Sequence, residues 1–492
     1  MNVWRNRRRA FLFVVGWLVI AVWTAVPFAF AEEPAGEAPG AGNTTPKRAA
    51  PGAGITTPAE EATRAVITTP AGETAGAGRI TREQEKPVAH LCAGCLAPIF
   101  TDGSKGSITP YGRIELDAIY SNRMTNPLDP GQFNGYATAA GTSSNSSTTL
   151  NPRYSVFGLR AERTDGVHTL AGVVEIDFYG QTDNAGNLPP RLRLANARYT
   201  TGRTSLTVGQ DWTPVMALHP DLIDFSIMGY NGNLWQRLPQ ITLRHDFTEN
   251  LQGLVTVMRF ERGLTQCCGQ TQVRPITPPA NGAIGGNQAT INAFNDPDQH
   301  PYYGSRLAWS GSGTAQGMVA AVNAAYRYYR SAPAPGNPLF QSGRDINSYV
   351  VGGELVVPLR DNLKFSGEIA YGQALGVEWF RFNQELNLVN GNPIRSFVGW
   401  AQLSWAASKD FTFLGGYGWD NPLNSDLKGS QAINIPGSNI QYLLNHRTYA
   451  TVIHPIWADF YTGFEWNHLM TEWASGQHNQ GDNYMLSFWY NF

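Results

Sequence analysis

From Ile108 onward, polar and apolar residues alternate in short runs. Along ITPYGRIELDAIY, residues Ile108, Ile114, Leu116, Ala118 and Tyr120 share one face, while Arg113, Glu115 and Asp117 share the other. A period of two with one greasy and one wet side marks a strand between two different media. Similar runs recur near 153–163, 168–180, 191–201, 203–212, 239–247, 251–260 and 301–310. Eight more lie near 316–330, 346–358, 362–373, 395–406, 410–418, 440–452, 456–467 and 482–492. With the first run they predict about sixteen strands.

The connections carry as much information as the strands. Tight links are expected at Thr164-Asp165-Gly166, Gly202, Thr248-Glu249-Asn250, Gly311-Ser312-Gly313, Asp361, Ser408-Lys409 and His454-Pro455. Every intervening connection is long: 121–152, 181–190, 213–238, 261–300, 331–345, 374–394, 419–439 and 468–481. Short and long links in strict alternation are the signature of a transmembrane antiparallel β-barrel of the bacterial outer membrane. The expected fold is therefore all-β, with the barrel at 107–492. An even strand number puts both chain ends on the periplasmic side. A propeller would repeat in blades of four strands, and no such repeat is found.

The first 31 residues read as an export signal: Arg5, Arg7, Arg8 and Arg9, an apolar core, then Ala29-Phe30-Ala31 as cleavage site. An uncleaved membrane anchor is the competing reading. Arg8-Arg9-Ala10-Phe11-Leu12 also resembles a twin-arginine signal, which suits folded cargo; a barrel travels unfolded, so that resemblance is taken as incidental. After residue 31 no apolar run reaches the 18 or so residues of a spanning helix. Residues 32–106 are expected to form a low-complexity, disordered periplasmic extension. Up to residue 89 it is dominated by Ala, Gly, Pro, Thr and Glu, with Thr-Thr-Pro at 44–46, 56–58 and 68–70. Cys92-Ala-Gly-Cys95 lacks the following His of a haem attachment, since Leu96 stands there, and it lacks a second ligand pair for zinc. A local disulfide is the plain reading in an oxidising compartment, with a redox or metal pair as the alternative. Cys267-Cys268 could pair locally or with nothing. No metal, cofactor or catalytic residue is expected.

Composition sharpens this picture. The 492 residues carry 36 basic and 38 acidic side chains, net −2, and removal of residues 1–31 would leave −6. No domain is strongly basic, so nothing points to a nucleic-acid partner. The basic residues are 30 Arg against 6 Lys. Guanidinium is rigid, always charged and grips carboxylate or phosphate at two points, which suits a stationary ladder for anions.

A sixteen-stranded barrel leaves an aqueous lumen, whose selectivity comes from width and lining charge. Parity assigns Tyr111, Arg113, Glu115, Asp117, Arg160, Glu162, Glu175, Asp177, Gln240, Thr242 and Arg244 to that lining. RLRLANARY breaks parity, so Arg191, Arg193 and Arg198 can all point inward only if a bulge intervenes. Segment 213–238 is too apolar for a loop in solvent, and folding into the lumen is the physical solution. It is the candidate constriction loop. Its charges Asp221, Asp224 and Arg237 are expected to face the arginines of strands one, two, four and six.

Three stretches resemble the DcaP-like group of trimeric outer-membrane porins: YGRIELDAIY at 111–120, VGQDWTPVMALHPDLIDF at 208–225 and LWQRLPQITLRHDF at 234–247. The resemblance spans the barrel and implies a homotrimer in outer-membrane lipid that passes small, mainly anionic solutes of carboxylate type. That group carries a heptad-bearing helix at its N-terminus, whereas residues 32–89 have no heptads, so no coiled coil is implied. The ending LSFWYNF, with terminal Phe492, is the kind of mark that barrel-assembly machinery recognises. Two other classes compete. A barrel enzyme would need a nucleophile motif beside one of nine scattered His residues, and none is present. A structural or adhesive barrel tethered to the envelope would use the twelve-residue repeat.

Overall fold

The computed structural model describes residues 100–102, 106–123, 146–180, 188–259, 300–330, 345–381, 384–387, 392–428, 441–474 and 476–492. The export segment, the Thr-Thr-Pro extension and the motifs Cys92–Cys95 and Cys267–Cys268 lie outside these residues.

Strands form where the sequence alternates. The series opens with β1 (Phe100–Asp102), β2 (Gly106–Ser121), β3 (Ser147–Asn151) and β4 (Val156–Thr164). It continues with β5 (His168–Asp177), β6 (Arg191–Thr201), β7 (Thr204–Trp212), β8 (Arg237–Asp246) and β9 (Leu251–Met258). Then come β10 (Tyr302–Ser310), β11 (Val319–Arg330), β12 (Asp345–Arg360), β13 (Leu363–Gln373) and β14 (Arg395–Ala406). The last four are β15 (Thr412–Pro422), β16 (Tyr442–Trp457), β17 (Phe460–Trp473) and β18 (His478–Asn491). β3 and β4 both pair with β2, so they are one wall strand interrupted at Pro152–Ser155. β1 is a short flap on the start of β2. The wall is thus a closed antiparallel barrel of sixteen strands, completed where β18 returns to β2 with Asn491 opposite Arg113 and Tyr484 opposite Tyr120. Closure leaves no unpaired edge, which is what lets a sheet sit in lipid.

Three sequence expectations need correction. The long connection expected at 468–481 is a four-residue link at 474–477, because β17 runs on to Trp473 and β18 already starts at His478. The stretch 121–152 is not all connection, because Ser147–Asn151 already pairs with β2. The turn placed at His454-Pro455 falls instead at Ala458-Asp459, and β16 runs on to Trp457. Proline was a misleading stop signal here. Pro455 pairs with Tyr461 at a register shift, a place where a ladder tolerates a residue without an N–H. The turn at 164–166 follows the sequence: Asp165 Oδ1 accepts the His168 and Val167 amides at 2.7 and 2.9 Å, which holds its carboxyl below the usual range.

Outward positions are apolar and aromatic: Ile114, Leu116, Leu159, Ile241, Leu243, Leu403, Phe464, Leu486 and Phe488 all lie on the outer surface. Aromatic pairs such as Tyr120–Tyr484 and Tyr417–Trp419 stack among them. Inward positions are polar and buried. The bulge required by RLRLANARY is present. Leu194 pairs with Glu175 and Leu192 with Ile176, leaving Arg193 as the extra residue, so Arg191, Arg193 and Arg198 all reach the inner side. Gln210 Nε2 donates to the two carbonyls freed there, Leu192 O at 3.1 Å and Arg193 O at 2.9 Å.

The seam ends on Phe492. Its backbone exchanges both hydrogen bonds with Gly112, at 2.8 and 3.0 Å, and its ring lies 5.8 Å from that of Phe157. A Cβ on Gly112 would come within 2.5 Å of the Phe492 ring and 2.7 Å of Val156 O. Replacing Gly112 with Val should therefore unseat Phe492 and weaken closure, with Gly112→Ala milder in the same direction. The heat-modifiable electrophoretic form, which reports the closed barrel, should decline in the order wild type, alanine, valine. Equal levels in all three would show that the seam does not depend on this contact.

Candidate functional site

The inner face is crossed by the segment between β7 and β8. Its apolar residues leave water by packing on inward side chains of the wall. Val215, Met216 and Leu234 join Tyr302, Val350 and Val398, while Leu222, Ile223 and Met228 join Trp400, Leu414 and Trp489. Its backbone cannot pair as a strand, so buried amides need other acceptors. They find them in order around the wall. Met216 N donates to Asn323 Oδ1 (3.1 Å), Ala217 N to Glu354 Oε1 (2.9 Å) and Leu218 N to Glu368 Oε1 (3.1 Å). Further on, Asp221 N donates to Gln402 Oε1 (3.1 Å) and Ile223 N to Glu465 Oε2 (2.7 Å).

The turn that follows is fixed by charge. Arg447 on β16 is fully buried. Its Nη1 lies 2.7 Å from Asp224 Oδ2 and 3.0 Å from Ser226 Oγ, and its Nη2 lies 3.3 Å from Glu465 Oε1. Asn467 Oδ1 accepts its Nε at 2.9 Å. Past the turn, Phe225 stacks on Tyr179 at 3.9 Å and stands edge-on to Tyr154 at 5.2 Å. The segment thus follows the wall from β11 to β17 before its tip reaches β5.

This path corrects the expectation for the loop acids. Asp221 and Asp224 do not face the arginines near β2–β8: Asp221 is 3.5 Å from Lys364, and Asp224 is held by Arg447. What meets Arg191 is the ring of Phe225, 5.4 Å from its Cζ. The inward course was legible from apolar content, whereas how far twenty-odd residues travel along a curved wall was not. Arg237, at the start of β8, does join the arginines, 3.9 Å from Asp177 Oδ2 and 5.0 Å from the Trp212 ring.

The remaining sequence-assigned residues divide by how much water they meet. Arg113 is buried with Glu115 at 2.6 Å and lies 4.5 Å from the Trp489 ring; Asp117 accepts from Ser487 at 2.5 Å. Around Glu175 and Asp177 gather Arg191 and Arg193, at 2.5 and 2.8 Å from their respective carboxylates, with Tyr111 donating to Glu175 at 3.0 Å. Arg153 completes this group, 4.6 Å above the Tyr179 ring. Arg160 and Glu162 pair at 3.0 Å with 37% and 41% of their side chains exposed. Arg198 and Asp211, 4.0 Å apart, are 27% and 21% exposed. Gln240 and Thr242 are buried, and Thr242 donates to Gln240 at 2.6 Å. Arg244 is intermediate.

The opposite wall carries buried charge that the sequence assignments do not include. Arg306–Glu354 (2.5 Å), Arg327–Glu378 (2.6 Å) and Arg381–Asp420 (2.5 Å) are buried ion pairs there. Arg306, Glu354 and Arg327 sit at inward positions that the same alternation would have found. Glu378 and Arg381 lie in the β13–β14 connection, which also folds inward, and no sequence signal marked them.

An antiparallel sixteen-stranded barrel, greasy outside, charged inside and crossed by an inward loop, defines the porin fold of the bacterial outer membrane. Among solved structures the chain has the fold of the outer membrane channel DcaP of Acinetobacter baumannii, with TM-score 0.60, 15% identity, and coverage of 81% of this chain and all of that one. It is also similar to an anion-selective porin from Comamonas acidovorans (TM-score 0.46, 11% identity, 79% of this chain, all of that one). A third similar structure is Salmonella typhi OmpF in complex with daunomycin (TM-score 0.49, 11% identity, 80% of this chain, 99% of that one). No protein-family model and no curated protein sequence matches the chain.

His219 supplies a pH test of the loop. Its ring lies 5.0 Å from that of Trp212 and its Nδ1 3.5 Å from Asn233 Nδ2. Burial lowers its pKa from 6.5 to about 4. Because the seated ring resists a proton that a hydrated ring would take, the seat loses stability as pH falls through that window and is unaffected above it. His219→Phe should therefore lose less heat stability than wild type between pH 7 and pH 4.5. Parallel pH responses in the two proteins would contradict this.

Proposed function

We propose that this protein is an outer-membrane porin through which small hydrophilic anions of carboxylate type diffuse passively, along a lumen narrowed by segment 213–236. It is a channel and not an enzyme. The protein works as a homotrimer in outer-membrane lipid, with its N-terminal extension in the periplasm and Phe492 as its mark for barrel assembly. The observation that carries the reading is a cluster of guanidiniums where the loop tip meets the wall. Arg153, Arg191, Arg193 and Arg237 gather there around Glu175 and Asp177.

Buried charge on the opposite wall serves a different purpose. Arg306, Arg327, Arg381 and Arg447 are each matched by a carboxylate and shut away from water, so they act as struts. A permeating ion responds to charge that it can approach, because anything farther than about 8 Å is screened at physiological salt. Arg160, Arg191 and Arg198 are inward-facing arginines that solvent reaches on the β4–β6 wall. Net chain charge is negative and does not decide the sign.

Changing Arg160, Arg191 and Arg198 together to Gln should lower the chloride-over-potassium permeability ratio by at least about twofold. It should leave the folded, heat-modifiable form in place, since Asp177 keeps Arg193 and Arg237. The measurement is the reversal potential in planar bilayers under a KCl gradient. An unchanged ratio would remove these arginines from the filter. A protein that inserts but passes no current would favour the structural or adhesive barrel instead.

A further inference from the structure

The connection between β13 and β14 is built as firmly as segment 213–236. Seven non-glycine residues have positive φ among the described residues, and six of them lie in these two segments: Met216, Ile227, Met228 and Tyr230 in one, Ala374 and Phe380 in the other. Left-handed backbone at a β-branched or bulky residue is costly and persists only where surrounding contacts impose it. Ile227 at φ +46° and Phe380 at φ +57° are such cases, and the contacts that impose them lie where the two segments meet.

The junction is aromatic. Phe380 stacks on Trp235 at 4.3 Å with the rings 17° from parallel, and meets the Tyr230 ring at 5.9 Å. It also covers Gly229, where an added Cβ would overlap the Phe380 ring and stand 3.0 Å from Ser226 O. Ion pairs fasten the connection on both sides of Phe380. Arg381 grips Asp420 with Nε and Nη2 at 2.5 and 2.8 Å and donates to Ser396 Oγ at 2.7 Å. Arg327 holds Glu378 at 2.6 Å. Phe380 is therefore presented to the other segment from a rigid base.

From this geometry we infer that residues 374–381 form the second jaw of the constriction, and that Phe380 is the positioning residue that keeps segment 213–236 at its present distance from the wall. The inference rests on the porin reading. The two jaws, locked together over Phe380, close the β11–β16 side of the lumen and leave the arginine-bearing β4–β6 side for solutes. Aperture is then set by a contact between two loops and not by segment 213–236 alone.

The test uses the purified full-length protein in planar bilayers and in liposomes swollen with neutral sugars of graded size. Phe380→Ala should raise single-channel conductance by at least about half and admit larger sugars, while Phe380→Tyr restores wild-type values. Gly229→Ala, which pushes the same contact apart from the other side, should shift both readings in the same direction and decides the matter if Phe380→Ala yields no heat-modifiable barrel. Conductance and size limit unchanged in a folded Phe380→Ala or Gly229→Ala protein would overturn the inference while leaving the porin reading intact. Absence of current from the unmodified protein would overturn both.

Discussion

The structure depends on the buried network centred on Arg447. A guanidinium deprived of water is costly unless every side of it is matched, and removing one partner of such a group typically costs about 3–5 kcal/mol. Here Asp224, Ser226, Glu465 and Asn467 match it, and two of these four belong to the loop. Neither half is satisfied alone: without the loop, Arg447 and Glu465 would face each other at 3.3 Å with donors and acceptors to spare. The wall therefore requires the loop as much as the loop requires the wall.

That mutual requirement accounts for the uneven distribution of charge. On the β11–β17 wall, carboxylates serve as acceptors for loop amides and as partners for buried arginines, so little net field is left for a passing ion. Around Asp177 the loop presents the uncharged ring of Phe225 to the guanidinium cluster. Position in the barrel, more than residue type, separates a buried strut from a side chain that solvent reaches.

The fold was legible in the sequence to an unusual degree because a membrane barrel has a two-medium pattern at every strand. Ile114, Glu115, Leu116 and Asp117 alternate so cleanly that register follows from it, and even the parity break in RLRLANARY correctly announced a bulge. Legibility failed where physics is non-local. Pro455 looked like a stop but sits at a register shift, and Ser147–Asn151 is too short and too polar to stand out. Asp221 and Asp224 were given the wrong partners because partner choice depends on the course of a loop through space, which no local pattern encodes. The inward fold of 374–381 depends on Phe380 finding Gly229, a contact between residues about 150 positions apart, and alternation says nothing about it.

The central claim is that a loop seated by Arg447 sets the width of a conducting lumen. Single-channel conductance of Arg447→Leu beside the unmodified protein, both in heat-modifiable form, tests it most directly. The account predicts a larger and noisier current in the variant, because Asp224 and Glu465 repel once the cation between them is gone and the loop leaves the wall. Identical conductance and noise in the two proteins would contradict it.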